Sequence, residues 1–368
     1  MDINVDPVTP KAALAIMKNT LAVHRGSKFN VPFFLHGQPG VGKSDIVQQL
    51  ADWAGMKLVT QMLTQIEATD LRGLQFIDEK TNTTVNFPPS WLPTSEDPPT
   101  IIFLDELPSA EPRLQVSGYQ LLLQGRIGEY VLDRKHYVCA AGNRIDDGAV
   151  VYEMGTALAD RLQHIVVIPE PRAWLEWARD NHIHAYVMTF LQLHGHKLEN
   201  LDEQLKAQQL VGPSPRSWQR VSQILNVLGA DRNTTEPLVQ GWLGKSTCAD
   251  FYLTVEEMAG LPDPQKILEM DAKEFKKYVP TKLTNLWGLA FSIVAFADTK
   301  ERMGKATHFF RVMVEDGPRT EPVEDVRKMG MEMMLKKAQS MNLIVDLLDD
   351  KEVQRYMEEA EEVISIGD

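Results

Sequence analysis

Residues 36–44 read His-Gly-Gln-Pro-Gly-Val-Gly-Lys-Ser. Three glycines and a proline come before a lysine and a hydroxyl residue. The stretch 37–44 fits G-x-x-x-x-G-K-[ST], a loop that holds phosphate. Gly37, Gln38, Pro39, Gly40, Val41 and Gly42 form the cradle, whose free backbone N–H groups face phosphate oxygens. Lys43 reaches the outer phosphates and Ser44 offers its hydroxyl to magnesium. The flanks suit this reading. Residues 31–36 are an apolar run that ends at a glycine, a buried strand. The segment after the loop has helical spacing and stops at Gly55, so a helix N-terminus faces the anion. ATP and Mg2+ are the ligands to expect.

Working outward, residues 57–63, 101–105, 137–142 and 164–168 read as four more strands. The run 101–105, Ile-Ile-Phe-Leu-Asp, shows no polar alternation, as a strand covered on both faces should not. Helices between such runs give parallel βα units. The expected fold is α/β: a parallel five-stranded sheet flanked by helices, over residues 1–170. Two stretches interrupt it. Residues 69–99, rich in Pro and Thr, read as a hairpin or loop insertion. Residues 121–135 read as a helix end and a hairpin turning at Gly125 and Gly128. Beyond Pro169, segments 171–181, 183–194, 216–228, 236–243 and 285–298 all read as helices. An all-helical lid domain over 171–310 and a helical C-terminal extension over 311–368 are predicted.

Composition narrows the function. The formal net charge is −13, which makes a coat for nucleic acid a poor fit, since such binding is driven by basic charge. No stretch approaches the ~18–20 apolar residues of a membrane span. The first residues lack the basic and apolar regions of a signal peptide. Cys139 and Cys248 are far apart and fit no metal spacing, so a reducing, cytoplasmic setting is expected.

Two further segments carry chemistry. The strand 101–105 delivers Asp105 to its carboxyl end, within reach of magnesium, and Glu106 follows at once. A carboxylate one step past the magnesium aspartate can orient and deprotonate water, which suits hydrolysis rather than transfer to a small acceptor. Asn143, at the end of the strand 137–142, is placed to hold the attacking water and the outermost phosphate.

These motifs, with Ala-Leu-Ala-Asp-Arg at 157–161 and Ser-Pro-Arg-Ser at 214–217, resemble those of an AAA+ ATPase. The insertion around Asp70-Leu71-Arg72-Gly73-Leu74, the hairpin around Arg126 and the Ala-Ala-Gly-Asn-Arg segment are similar to the MoxR branch. The resemblance is strong over about residues 1–230. It implies that Arg161 is an arginine finger offered to the nucleotide of a neighbouring subunit, worth about a thousandfold or more in rate. It implies that Arg216 contacts the phosphates of its own subunit. Arg126, Arg144 and Arg172 are rival cations for these roles. The resemblance further implies a ring, a hexamer as the usual assembly. The partner it implies is a protein client, among relatives one carrying a von Willebrand factor A domain. The insertion and hairpin would face that partner, with Phe87, Trp91 and Leu92 either contacting it or packing the insertion onto the core.

Other features read as structural. His182 with His184, and His194 with His196, are spaced so that a helix would point them apart. The methionines of 329–334 read as packing residues. The segment 346–362, with eight acids and two bases, reads as a solvated helix face or a dock for a basic partner. Cys139, in an apolar strand, reads as inert.

The sequence therefore leads to an ATP hydrolase that remodels a protein partner. The alternative is a nucleic-acid motor or loader, for which the insertion and hairpin offer only Arg72, Lys80 and Arg126 against Asp70, Asp78, Glu79 and Glu129. A nucleotide-gated binding module has no need of Glu106, Asn143 and Arg161. A small-molecule kinase lacks a visible acceptor site.

Overall fold

A computed structural model describes residues 3–80, 83–144, 147–148, 152, 154–316 and 321–366. The first part of the chain runs α1 (Pro10–Gly26), β1 (Phe33–His36), α2 (Lys43–Ala54), β2 (Lys57–Met62), α3 (Ala68–Arg72), β3 (Leu74–Asp78), β4 (Thr83–Phe87) and β5 (Thr100–Asp105). It continues with α4 (Pro112–Gln124), β6 (Arg126–Ile127), β7 (Tyr130–Val131), β8 (Tyr137–Gly142), α5 (Thr156–Ala159) and β9 (Gln163–Val166). Helices follow: α6 (Pro171–Asp180), α7 (Ala185–Leu193), α8 (Leu201–Lys206), α9 (Pro215–Leu228), α10 (Arg232–Leu243), α11 (Lys245–Met258), α12 (Pro264–Glu269) and α13 (Ala272–Phe275). The last are α14 (Leu283–Phe296), α15 (Lys300–Asp316), α16 (Glu321–Ser340), α17 (Ile344–Leu348) and α18 (Lys351–Ile366).

The chain divides into two compact units. One holds residues 1–173, 201–208 and 214–216; the other holds the rest. The first unit is built on a five-stranded sheet in the order β2-β5-β8-β1-β9. Every pairing in it is parallel. The expected α/β fold, with helices flanking that sheet and an all-helical region after it, is the fold observed. Alternation along each strand sends Ile101 and Phe103 into one apolar layer and Ile102 and Leu104 into the other. Both layers are apolar, which is why β5 shows no polar period. The β5–β8 pairing also places the end of β8 beside the end of β5, as the reading of Asn143 required.

The two interruptions form antiparallel hairpins, β3–β4 and β6–β7. Gly73, between α3 and β3, has φ 82°, and a Cβ there would collide with the Phe87 carbonyl. Hydrogen bonds from Lys135 to the Ser95 carbonyl and from the His136 ring to the Thr94 carbonyl tie the insertion to the segment that leads into β8.

The second unit is centred on α14, which is apolar around almost its whole circumference, as a helix enclosed by others must be. Helices α7, α11, α12, α15 and α16 pack on it. Trp218, Phe190 and Phe251 meet with ring centroids 5.2–5.7 Å apart. Met331, Met333 and Met334 are buried, as a packing role requires, and residues from Val312 to Val353 share this same core. Helix α10 starts earlier than the expected 236. Asp231 caps it by accepting the Thr234 N–H at 3.0 Å, and Pro237 lies inside the helix. The proline resembles a first-turn residue in the sequence, but the aspartate upstream is the stronger start signal.

Candidate active site

The loop between β1 and α2 needs its glycines. Gly40 has φ 80° and Gly42, the N-cap of α2, has φ 100°. Side chains are strained there, whereas glycine adopts this conformation freely. Lys43 opens the helix and is only 9% exposed. Its ammonium donates to the Gly37 carbonyl at 2.5 Å, the Gln38 carbonyl at 3.2 Å and Asn143 Oδ1 at 2.8 Å. All three donors of the ammonium are used. An incoming phosphate must therefore exchange with those acceptors. Burial pushes the Lys43 pKa down to about 8, against the raising effect of Asp105 and Asp147.

The end of β5 completes the cluster. Ser44 Oγ donates to Asp105 Oδ2 at 3.0 Å. The Glu106 N–H donates to Asp105 Oδ1 at 2.9 Å. Glu106 itself sits in the left-handed region at φ 57°, uncommon for a residue with a side chain. Strain of this kind, about 1–3 kcal/mol, is held where a site over-determines it. The Glu106 carboxylate meets Thr64, whose hydroxyl donates to Glu106 Oε2 at 2.5 Å. Thr64 has no place in the sequence motifs. Its signal was positional: β2 pairs with β5 so that Met62 faces Asp105, and Thr64 lies two residues further on.

Of the expected site residues, Lys43, Ser44, Asp105, Glu106 and Asn143 gather at the carboxyl ends of β1, β5 and β8. Arg216 lies beside the loop. A Cβ built on Gly40 would stand 3.0 Å from Ser214 Oγ and 3.4 Å from Arg216 Cβ, and the Arg216 charge helps lower the Lys43 pKa. Arg161 is exposed, on the turn after α5. Of the rival cations, Arg144 is paired with the buried Asp147 at 2.7 Å, Arg126 donates to the Gly128 carbonyl of its own hairpin, and Arg172 is exposed at the start of α6. Leu92 is buried and Trp91 donates to the Asp70 carbonyl, so both pack the insertion onto the core, whereas Phe87 is 58% exposed.

His184 caps α7 by accepting the Tyr186 N–H. Among the described residues no group of three or more His, Cys, Asp or Glu side chains is arranged to hold a metal ion. Burial pushes the Cys139 thiol well above its usual range. No helix among the described residues is long and apolar enough to cross a membrane.

The residues fit a nucleoside triphosphate and magnesium. Two left-handed glycines, the N-terminus of a 12-residue helix and a buried ammonium make a phosphate seat. A hydroxyl and a carboxylate 3.0 Å apart beside it are the hard oxygen donors magnesium prefers.

Comparison with known proteins agrees with this geometry. Residues 32–162 match the family model of the AAA domain, dynein-related subfamily. Residues 32–162 thus carry an AAA+ ATPase-fold domain. Similar solved structures include the Thermotoga maritima RuvB Holliday junction branch migration motor (14% identity, 71% of this chain and 74% of that one, TM-score 0.39). A second is a putative ATPase from Cytophaga hutchinsonii (16%, 87% and 81%, TM-score 0.34). A third is NtrX from Brucella abortus in complex with ADP (13%, 86% and 68%, TM-score 0.38). No curated protein matches the chain. The branch named by the family model is dynein-related, so the MoxR likeness rests on the sequence motifs.

Proposed function

We propose that this chain is a magnesium-dependent ATPase of the MoxR type that assembles into a ring, a hexamer, and remodels or activates a protein partner in the cytoplasm. The observation that carries the ATPase reading is the convergence of Lys43, Ser44, Asp105, Glu106 and Asn143 on one edge of the sheet, with Glu106 in a left-handed conformation. Lys43 and the loop 37–42 bind the phosphates. Ser44 and Asp105 hold magnesium, which supplies charge neutralisation at the phosphates when bound. Glu106 takes the proton of the attacking water, and Thr64 orients that carboxylate. Asn143 fixes the Lys43 ammonium through Oδ1 and keeps its amide N–H groups for phosphate or water. Arg216 serves the nucleotide of its own subunit, and Arg161 that of the neighbour. Residues 1–170 act as the nucleotide-binding core, 171–310 as the helical lid and 311–368 as an extension that shares the lid's core.

A protein partner is favoured by the hairpin β3–β4. Leu74, Phe76, Ile77 and Phe87 are exposed there, and exposed apolar patches mark protein contact. The acidic balance of the chain points the same way. Nucleic acid is the second reading, since RuvB is described as a branch migration motor. Glu106→Gln held in magnesium ATP, used as bait in lysate with and without nuclease, separates the two. A protein that stays bound after nuclease, such as one with a von Willebrand factor A domain, supports remodelling. Recovery that depends on nucleic acid replaces it with the motor reading.

A further inference from the structure

Two histidines lie below the phosphate loop, and none of the roles above uses them. His36 ends β1 and precedes Gly37; His164 is the second residue of β9. Strands β1 and β9 pair in parallel with Phe34 opposite His164. His36, two residues on from Phe34, therefore points to the same face of the sheet as His164. His36 Nε2 and His164 Nδ1 are 2.8 Å apart, and His164 Nε2 is 2.9 Å from the Ala159 carbonyl oxygen.

The proton positions follow from the partners. A carbonyl only accepts, so His164 Nε2 carries a proton and donates to Ala159. His36 Nε2 and His164 Nδ1 share the second hydrogen bond of the chain. Burial, reinforced by His164, Lys43 and Arg144, pushes the His36 pKa down to about 3, so His36 is neutral and carries one proton.

Both ends of this chain of bonds matter. The Ala159 carbonyl also accepts the Leu162 N–H at 3.1 Å, closing the turn that carries the exposed Arg161. At the other end, His36 runs directly into Gly37, whose carbonyl receives the Lys43 ammonium at 2.5 Å. His36 also sits opposite Gly142, the residue before Asn143. Phe34 packs against both imidazoles, with centroids 4.6 and 6.4 Å away, and holds their rings in place.

We propose that His36 and His164 are positioning residues that hold the Arg161 turn in register with the phosphate loop, so that Arg161 is presented to the nucleotide of a neighbouring copy. The proposal rests on the reading of Arg161 as acting between subunits. Neither histidine touches nucleotide; both act through the turn.

The test is steady-state turnover, nucleotide affinity and subunit mixing on the full chain. His164→Phe keeps a ring and removes both hydrogen bonds. Its turnover is expected to fall about tenfold or more while nucleotide affinity is unchanged. His36→Phe should fall likewise, and His36→Gln, whose amide offers both a donor and an acceptor to His164 Nδ1, should retain most of the activity. Mixing His164→Phe with Glu106→Gln should restore turnover, because one supplies an intact nucleotide site and the other an intact Arg161. Mixing it with Arg161→Ala should not. Full turnover in His164→Phe overturns the proposal. So does failure to recover with Glu106→Gln when Arg161→Ala does recover with it. If Arg161→Ala also fails to recover, the inter-subunit reading falls first and the proposal with it. Should His164→Phe not fold, the contrast of His36→Phe with His36→Gln reads the same bond from the other side.

Discussion

The carboxyl edge of the sheet and the interior of the helical unit both bury polar side chains, but on different terms. In the helical unit, Thr235 Oγ1 donates to the Asp231 carbonyl at 2.8 Å and lies 2.6 Å from the Tyr252 hydroxyl; Thr189 donates to the Ala185 carbonyl, and Ser222 accepts the His184 N–H. These are neutral groups satisfied by fixed neighbours, an arrangement that makes a core specific and asks nothing more of it. At the sheet edge an ammonium and a carboxylate are buried, at 9% and 8% exposure, and satisfied by acceptors and donors that a bound phosphate or cation can replace. Exchangeable partners around buried charge make this edge the candidate for chemistry.

Substitutions can break or sharpen that contrast. The largest effect belongs to the sheet edge. Lys43→Ala should abolish nucleotide binding, measured with a fluorescent nucleotide. Glu106→Gln should leave binding intact and lower turnover by about 10²–10⁴-fold, measured as phosphate release. Chelation of magnesium should likewise stop turnover of the unmodified chain.

The helical unit should respond in stability alone. Phe309 stacks on Phe275 with centroids 4.2 Å apart in the enclosed core. Phe309→Ala should destabilise that unit by about 3–5 kcal/mol in denaturant unfolding, with nucleotide affinity unchanged in the folded fraction. A parallel loss of affinity would erase the distinction between the two regions.

Thr64→Val tests a smaller part of the site. Loss of a hydrogen bond to a carboxylate should lower turnover by about tenfold without changing nucleotide affinity. A rise in turnover would mean that Thr64 holds Glu106 away from water rather than toward it.

The pH responses are gentler. Above about pH 8 the folded chain has lost the Lys43 proton, which a phosphate would restore. Nucleotide binding should therefore take up a proton there, and affinity should fall as pH rises, by titration calorimetry in buffers of different ionisation enthalpy. Between that value and the ordinary lysine pKa of 10.5, the unfolded chain binds the extra proton, so this group makes the nucleotide-free fold more stable as pH rises. The histidines act in the acid range. Burial holds His36 near 3 and His184 near 4, against 6.5 unfolded. As pH falls below 6.5 the unfolded chain gains protons that the folded chain refuses, so both units should lose stability together on acidification.

Much of the sheet was legible because β1, β5 and β8 are buried, largely apolar runs that end against Gly37, at Asp105 and at Gly142. Lys43, Ser44, Asp105 and Glu106 were legible because phosphate chemistry fixes their order and spacing. The left-handed turn at Glu106 was not, since nothing in Asp-Glu-Leu-Pro demands it. Helix α1 has a local signal in Thr9, whose hydroxyl accepts the Ala12 N–H, followed by Pro10 at the first helical position. No motif draws attention to it. Thr64 and the His36–His164 pair were hidden for another reason. Their partners lie 42 and 128 residues away, and only the β2–β5 and β1–β9 registers bring them together.

The central claim is that the sheet edge is a hydrolytic site in which Glu106 acts after nucleotide is bound. The most direct measurement is magnesium ATP affinity and phosphate release on the same preparations of the unmodified chain and Glu106→Gln. Equal affinity with turnover only in the unmodified chain is the predicted result. Equal turnover in both, or no release from the unmodified chain with magnesium ATP bound, would contradict it.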